Sequence, residues 1–300
     1  MDISRLPTVK AKQIITKNPS PSSWFGIDYM MNLYRGCSHG CIYCDSRSSC
    51  FRDSNFNTVK IKENALQIIR DDLRRKVKKG VIGTGAMTDA YNPLEKHLKI
   101  TRNTLELINA TGFGICIATK SDLIVRDIDI LSDIGTHSPV MVKFSITMAD
   151  DKLCKQLEPG VVPTSKRLVA IQQLNKAGIY CGLLMMPLLP FINDTEENVI
   201  QVVRMAHEAG AKFIFASMGM TLRNGSRQYY YDKLNTLMLG LSPKYVKRYG
   251  TRYNCSSPRA KKLWEVFNQE CERLGIITSM KAITQAYKLG YDDVQLRLFN

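Results

Sequence analysis

Six short runs rich in apolar and β-branched residues recur along the middle of this chain, and helically spaced apolar residues fill the stretches between them. The runs are residues 29–34 (YMMNLY), 81–87, 114–119 (GICIAT), 140–147 (VMVKFSIT), 180–188 (YCGLLMMPL) and 212–220 (KFIFASMGM). Strands without polar alternation need cover on both faces, which a parallel sheet wrapped by helices provides. Helices are expected over 62–79, with Leu66, Ile69, Leu73 and Val77 on one face and Gly80 as the stop, and over 93–110, 122–134, 165–177 and 195–209. Pro93 suits a first helical turn. Asp194 is expected to cap the last of these helices, Glu197 to complete a capping box and Gly210 to follow the end. Eight strand–helix beats would close a full barrel. Six predict an α/β fold of the partial (β/α)6 type, open on one side, with chemistry in the loops at the strands' C-terminal ends. Residues 221–300 break the rhythm and read as a basic, mainly helical C-terminal appendage, and 1–27 as a basic N-terminal extension to a 28–220 core.

The charge balance is uneven. Residues 1–80 hold 15 Lys and Arg against 7 Asp and Glu, 81–220 hold 13 against 14, and 221–300 hold 14 against 6. A neutral middle between two basic flanks suits a cradle for a polyanion, although solvated cations on exposed helix faces give the same count. The hydrophobic fraction of 44% excludes a disordered or fibrous chain. The longest apolar stretch, 180–192, falls short of the roughly 18 residues a membrane span needs. No apolar leader opens the chain, so a cytoplasmic protein without membrane contact is expected. Nine cysteines in such a chain point to metal or redox chemistry rather than a disulfide framework.

Three of them cluster. In LYRGCSHGCIYC, Cys37, Cys41 and Cys44 stand at C-x3-C-x2-C spacing directly after the first strand run, on a loop that Gly36 and Gly40 allow to turn tightly. Three thiolates on one short loop can converge on a metal centre. A four-iron cubane held by three cysteines keeps one iron open, as catalysis requires. A zinc site with His39 and Cys50 completing the set is the competing metal reading, and simple packing of buried cysteines the non-metal one.

With Tyr43 as the aromatic residue between the second and third cysteines, this motif resembles the radical S-adenosylmethionine (SAM) superfamily. LYRGCSHGCIYC followed by MTDAYNPLE, ATKSD and MPLLPFIND is similar to the spore photoproduct lyase family, the DNA-repair-photolyase-like branch, over about residues 25–220. The resemblance implies a radical-SAM-type partial barrel and a 4Fe–4S cluster on Cys37, Cys41 and Cys44. It further implies S-adenosylmethionine on the open iron, an electron donor such as ferredoxin or flavodoxin, and reductive cleavage to a 5′-deoxyadenosyl radical. A nucleic acid, DNA first, is the implied partner and a DNA lesion or modified base the implied substrate. A peptide or small metabolite, or a non-catalytic metal-stabilised nucleic-acid-binding module, are the alternatives.

Around the cofactor, Gly83 and Gly85 allow close backbone approach, and Thr88 and Asp89 offer acceptor oxygens. By the same resemblance Lys120 and Ser145 contact SAM, and Tyr43, Met185 and Pro187 stand near its adenine. The competing structural roles are a helix cap for Thr88 and Asp89, a strand-end surface charge for Lys120 and core packing for Met185. The family's hydrogen-donor cysteine, two residues before the position of Thr88, is Ala86 here, which argues against a spore photoproduct lyase in the strict sense. Tyr91 is the candidate for relaying a hydrogen atom, or else a wall residue. Tyrosines interleaved with cations over 227–253 suit extruded bases and phosphates, or an amphipathic helix packed on the barrel. Gln295, Leu296, Arg297, Leu298 and Phe299 resemble a motif that docks on bacterial sliding clamps, the alternative being a tail folded back on the barrel.

Overall fold

A computed structural model describes residues 6–21, 23–48 and 55–291. Its main sheet has seven strands: β1 (Ile15–Lys17), β2 (Tyr29–Met31), β3 (Val81–Thr84), β4 (Gly114–Thr119), β5 (Val140–Ser145), β6 (Tyr180–Met185) and β7 (Ile214–Ala216). Each neighbours the next in sequence order. Strands β2 to β7 run parallel, and β1 pairs antiparallel with β2 through Ile15 and Met31. A sheet wound in one direction curls into a barrel wall, and because β1 and β7 do not pair, the barrel stays open. The expected six parallel strands are all present.

Alternation along the strands separates two cores. Ile115, Ile117, Val142, Phe144, Leu183 and Met185 face the helices, whereas Cys116, Met141 and Leu184 face the lumen. The outer layer is α1 (Ala65–Arg74), α2 (Ile100–Ala110), α3 (Ile128–Gly135), α4 (Thr164–Lys176) and α5 (Glu196–Glu208). Several boundaries differ from expectation. Helix α1 stops at Arg74, and Val77, the lone apolar residue in the cation-rich stretch after Leu73, is 99% exposed. The helix expected over 93–110 breaks at Lys99, whose φ is 51°. That over 122–134 opens as a 3-10 turn, Asp122–Asp127. Thr195, not Asp194, caps α5 by accepting from the Asn198 N–H; Asp194 instead accepts from the Ser257 hydroxyl at 2.5 Å. The first apolar run also divides: Tyr34–Arg35 leaves the main sheet and pairs with Lys60–Lys62 in a small sheet beneath the cysteine loop. The last divides into β7 and β8 (Gly219–Thr221), which pairs antiparallel with β9 (Asn254–Ser256).

Both flanks pack into the same body as the barrel. The C-terminal segment continues as α6 (Ser226–Leu237), α7 (Leu241–Tyr249), α8 (Ala260–Arg273) and α9 (Met280–Lys288). Ile277 bridges Phe213 and exchanges backbone hydrogen bonds with Lys212 and Ile214, covering the open edge beside β7. Tyr287 of α9 donates to the Phe25 carbonyl at 2.6 Å, and Trp24 meets Phe215 edge-on at 5.5 Å. The N-terminal loop and the last helix thus seal the lumen's lower end. Among the described residues, no helix is long and apolar enough to cross a membrane. Cys50 and the tail at 295–299 lie outside the described residues.

Candidate active site at the strand ends

The cysteine loop leaves Tyr34–Arg35 and turns at Gly36, where φ is +78° and an added Cβ would lie 2.2 Å from the Thr58 carbonyl oxygen. Only glycine fits there. It brings Cys37, Cys41 and Cys44 over the C-terminal ends of β3 and β4, around a small cavity of about 80 Å3 that Gly85, Thr88, Asp89, Lys120 and Ser145 also line. The folded chain therefore brings together the three cysteines and five of the other candidate residues. Gly85 (φ +92°) is pressed so closely against β4 that a Cβ would sit 1.8 Å from the Ala118 carbonyl oxygen.

The loop's surroundings treat the three thiols differently. Burial pushes Cys41 and Cys44 up, Cys41 furthest. Burial also opposes ionisation of Cys37, but the hydrogen bond and charge of His39 outweigh it and hold this thiol below its ordinary value. His39, buried, lies 3.6 Å from Asp89 through Nδ1. Burial opposes its charged form, and Asp89 with Cys37 more than restores it. His39 is thereby committed to Cys37 and Asp89 rather than standing free as a fourth metal ligand. Among the described residues, no three His, Cys, Asp or Glu side chains converge tightly enough to hold a single metal ion. A cubane asks something else of the loop, one thiolate per iron around a cluster of several atoms. The donor set fits the cluster.

Asp89 has a different task from the one expected. Its carboxylate accepts from the Thr119 hydroxyl at 2.8 Å, the Lys120 N–H at 2.7 Å and the Tyr91 N–H at 2.9 Å. With those lone pairs engaged, Asp89 ties the loop after β3 to the end of β4. The Thr88 hydroxyl, 8% exposed, reaches the Tyr34 carbonyl at 3.5 Å. Tyr91 is 1% exposed, packs in the helix-side core and lines neither cavity at the strand ends, so it is a core residue rather than a relay or a wall of the site. Met185 is also displaced. The strand's alternation puts it in the helix-side core, and Leu184 and Met186 take the lumen face. Pro187 lines the lumen.

Tyr43 rests on a buried polar cluster that the sequence reading missed. Its hydroxyl donates to Glu158, which pairs with Arg167; the two charged residues are 1% and 0% exposed. Arg167 further donates to the Val162 carbonyl at 2.9 Å, the Ser145 carbonyl at 2.7 Å and the Cys154 sulfur at 3.2 Å. Burial pushes Glu158 up, and Arg167 with Lys120 outweighs it, leaving the carboxyl below its ordinary value. Lys120 likewise resists the downward pull of burial through Cys41 and Glu158, and its Nζ stands 5.9 Å from the Tyr43 ring centroid. One signal in the sequence pointed here. Arg167 lies on the buried stripe of α4, between Thr164 and Ala170, where a cation needs a partner.

The small cavity opens into a lumen of about 820 Å3, within the range of small-molecule sites. Trp24, Trp264, Lys143, Ala86 and Tyr43 are among its walls. Two lining side chains, Asn32 and Asp45, each hold a buried oxygen (Oδ1) with no hydrogen-bond partner among the described residues. Unsatisfied acceptors next to the cysteine loop suit the ammonium and hydroxyl groups that SAM presents. The appendage braces this loop: Arg223 pairs with Asp45 at 2.9 Å, and the Arg47 guanidinium stacks 4.1 Å from the Tyr229 centroid. Its tyrosines serve mainly as packing, since Tyr230, Tyr231, Tyr245 and Tyr249 are buried in one cluster with Cys41, Ile42 and Tyr43. Lys244, Lys247, Arg248 and Arg252 remain exposed.

The family model of the Radical SAM superfamily matches residues 31–203. An uncharacterized protein of Mycobacterium tuberculosis is 29% identical over 252 residues, covering 82% of this chain and 72% of that protein. One from Methanocaldococcus jannaschii is 33% identical over 191 residues, covering 63% and 69%. Among solved structures, a spore photoproduct lyase with AdoMet and dinucleoside spore photoproduct bound superposes with a TM-score of 0.67 at 16% identity, over 91% of this chain and 80% of that one. A radical S-adenosylmethionine methyltransferase from Kitasatospora setae gives 0.54 at 11% identity, over 90% and 62%. At these identities the likeness is one of fold.

Proposed function

This chain belongs to the radical SAM superfamily, whose cofactors are a 4Fe–4S cluster and SAM, and from that membership we propose that it is an enzyme acting on a lesion or modified base in nucleic acid, DNA first. Cys37, Cys41 and Cys44 would hold the cluster. Lys120, Ser145, Asn32 and Asp45 would receive SAM, and Tyr43 and Pro187 would stand near its adenine. Bound there, the cofactors supply one-electron reductive cleavage of the sulfonium and hence hydrogen-atom abstraction. The chain's own residues do the rest. His39 steadies Cys37, Asp89 fixes the backbone of Lys120, and Glu158 and Arg167 anchor Tyr43 and Ser145 from beneath.

The observation that carries the substrate reading is the lumen: its space extends well past the cysteine loop, and both tryptophans of the chain line it. Aromatic faces suit a base taken out of its stack, and the basic flanks suit the phosphates around it. The neighbouring spore photoproduct lyase carries a dinucleoside lesion in the same fold. Ala86, in the lumen wall, leaves the immediate hydrogen donor different from that family's cysteine.

Anaerobic reconstitution with iron and sulfide, then dithionite and SAM, is expected to yield 5′-deoxyadenosine. A colourless protein that binds only zinc would leave a metal-stabilised binding module instead. Binding to single-stranded and duplex oligonucleotides is expected to weaken linearly in log affinity against log salt. No binding at low salt would remove nucleic acid as the partner. Lys120→Ala is expected to weaken SAM binding roughly tenfold or more, since a charge-assisted hydrogen bond contributes about 1.5–3 kcal/mol. Cluster absorbance should be unchanged. An unaltered SAM affinity would make Lys120 a partner of Glu158 alone.

A further inference from the structure

Lys143 is a buried cation that the cofactor end of the site does not use. It stands within β5, where its register partners are Ala118 on β4 and Gly182 on β6, two positions that offer almost no side chain beside it. It is 3% exposed, yet it lines the 820 Å3 lumen. The small cavity at the cysteine loop is lined by Lys120 and Ser145 but not by Lys143. The Lys143 Nζ lies 4.0 Å from the Phe25 ring centroid and 5.9 Å from that of Trp24. Among the described residues no hydrogen bond or ion pair reaches it, and its Nζ is not one of the unpartnered atoms closed off from solvent, so it opens to the lumen. Buried lysines are almost always paired, and aromatic faces restore only part of the hydration an ammonium loses. An ammonium that lines a cavity with no acceptor beside it gains a partner when a ligand brings one.

The walls narrow the ligand's class. Trp24 and Trp264, the two tryptophans of the chain, both line this lumen, and Trp264 on α8 is 39% exposed. Flat aromatic walls take a flat ring, and an ammonium takes an oxygen acceptor on it. We propose that Lys143 is a substrate-recognition residue that donates to a carbonyl oxygen of an extruded base, with Trp24 and Trp264 as its stacking walls. The choice of a nucleic-acid base and the assignment of Lys120 to the cofactor both rest on the function proposed above.

The test is Lys143→Met, which keeps the side chain's length and removes its charge, in reconstituted protein holding SAM. Dinucleoside spore photoproduct is the probe, inorganic phosphate the second ligand, and quenching of tryptophan fluorescence the readout, since both fluorophores line the cavity. Dinucleoside binding is expected to weaken at least tenfold, with SAM affinity within about twofold of wild type. The melting temperature should hold or rise by ~2 °C, because an unpaired buried charge has been removed. Equal dinucleoside affinity in the variant overturns the proposal. So does an equal loss of SAM affinity, which would place Lys143 on the cofactor, or a melting temperature lowered by ~3 °C or more, which would make it structural. Phosphate quenching with the same dependence on Lys143 overturns the carbonyl assignment. Wild-type protein that binds oligonucleotides but not the dinucleoside sinks this subsite and leaves the nucleic-acid reading standing. Dinucleoside binding without oligonucleotide binding does the reverse.

Discussion

Replacing Cys37, Cys41 or Cys44 singly by alanine is expected to leave a folded protein without iron–sulfur colour, and to lower 5′-deoxyadenosine formation at least ~1,000-fold, a loss of about 4 kcal/mol of transition-state stabilisation. The three thiols are the ligands the loop offers at the strand ends, and removing one leaves two to hold a cluster with an open iron. The fold should survive. Cys37 and Cys44 are half-buried on the loop, and Cys41, though buried, is a small side chain at the edge of a cluster led by larger tyrosines. Trimming one sulfur from such a site costs on the order of 1 kcal/mol, small beside the 5–15 kcal/mol of an ordinary domain. Cys116→Ala and Cys181→Ala are the internal controls. Both thiols are fully buried within β4 and β6 and neither lines the small cavity at the cysteine loop, so iron content should be retained. Cys50→Ala should likewise keep its colour. If that variant loses iron while Cys44→Ala retains it, the ligand set has been assigned wrongly.

The apolar runs and the cysteine spacing made the barrel and its cysteine loop legible, because both are local in sequence. What stayed hidden depends on phase or on distance. In YCGLLMMPL both faces of the strand are buried, so no polar residue marks which side of the pleat faces the lumen, and Met185 is read one position away from Met186. VMVKFS did carry such a mark, since Lys143 shows which face meets the cavity. The Tyr43–Glu158–Arg167 cluster joins residues far apart along the chain that meet only once the 157–160 turn docks under the cysteine loop, where the Ile42 N–H donates to the Leu157 carbonyl at 3.0 Å. His39 and Asp89 likewise meet only on folding, across a shorter stretch of chain. The tyrosines of 227–253 followed helical spacing, which is also how a packing face is written; the structure buries four of them.

Arg167→Met is expected to be the most destabilising substitution near the site, by about 3–5 kcal/mol, because it leaves the Glu158 carboxylate buried with the Tyr43 hydroxyl, the weak Cys154 thiol donor and Lys120 for company. For a chain of this size that is a fall in melting temperature of roughly 10 °C. The Ser145 and Val162 carbonyls lose their donor as well, so the end of β5 and the turn before α4 loosen together. Replacing both partners, Arg167→Met with Glu158→Leu, should recover much of the loss, since an apolar pair of similar volume needs no compensating charge. Function should not recover with it. Without Glu158, Tyr43 has lost the acceptor for its hydroxyl and Lys120 a neighbouring counter-charge. The double variant is therefore expected to melt near wild type and yet bind SAM several-fold more weakly. Calorimetry and SAM titration on the two variants separate the roles. If the double variant regains both stability and SAM affinity, the buried pair serves packing alone. If Arg167→Met shifts the melting temperature by less than ~2 °C, Glu158 is not held as an ion there, and neither the anchoring of Tyr43 nor the field on Lys120 survives as an explanation of how this site is kept in shape.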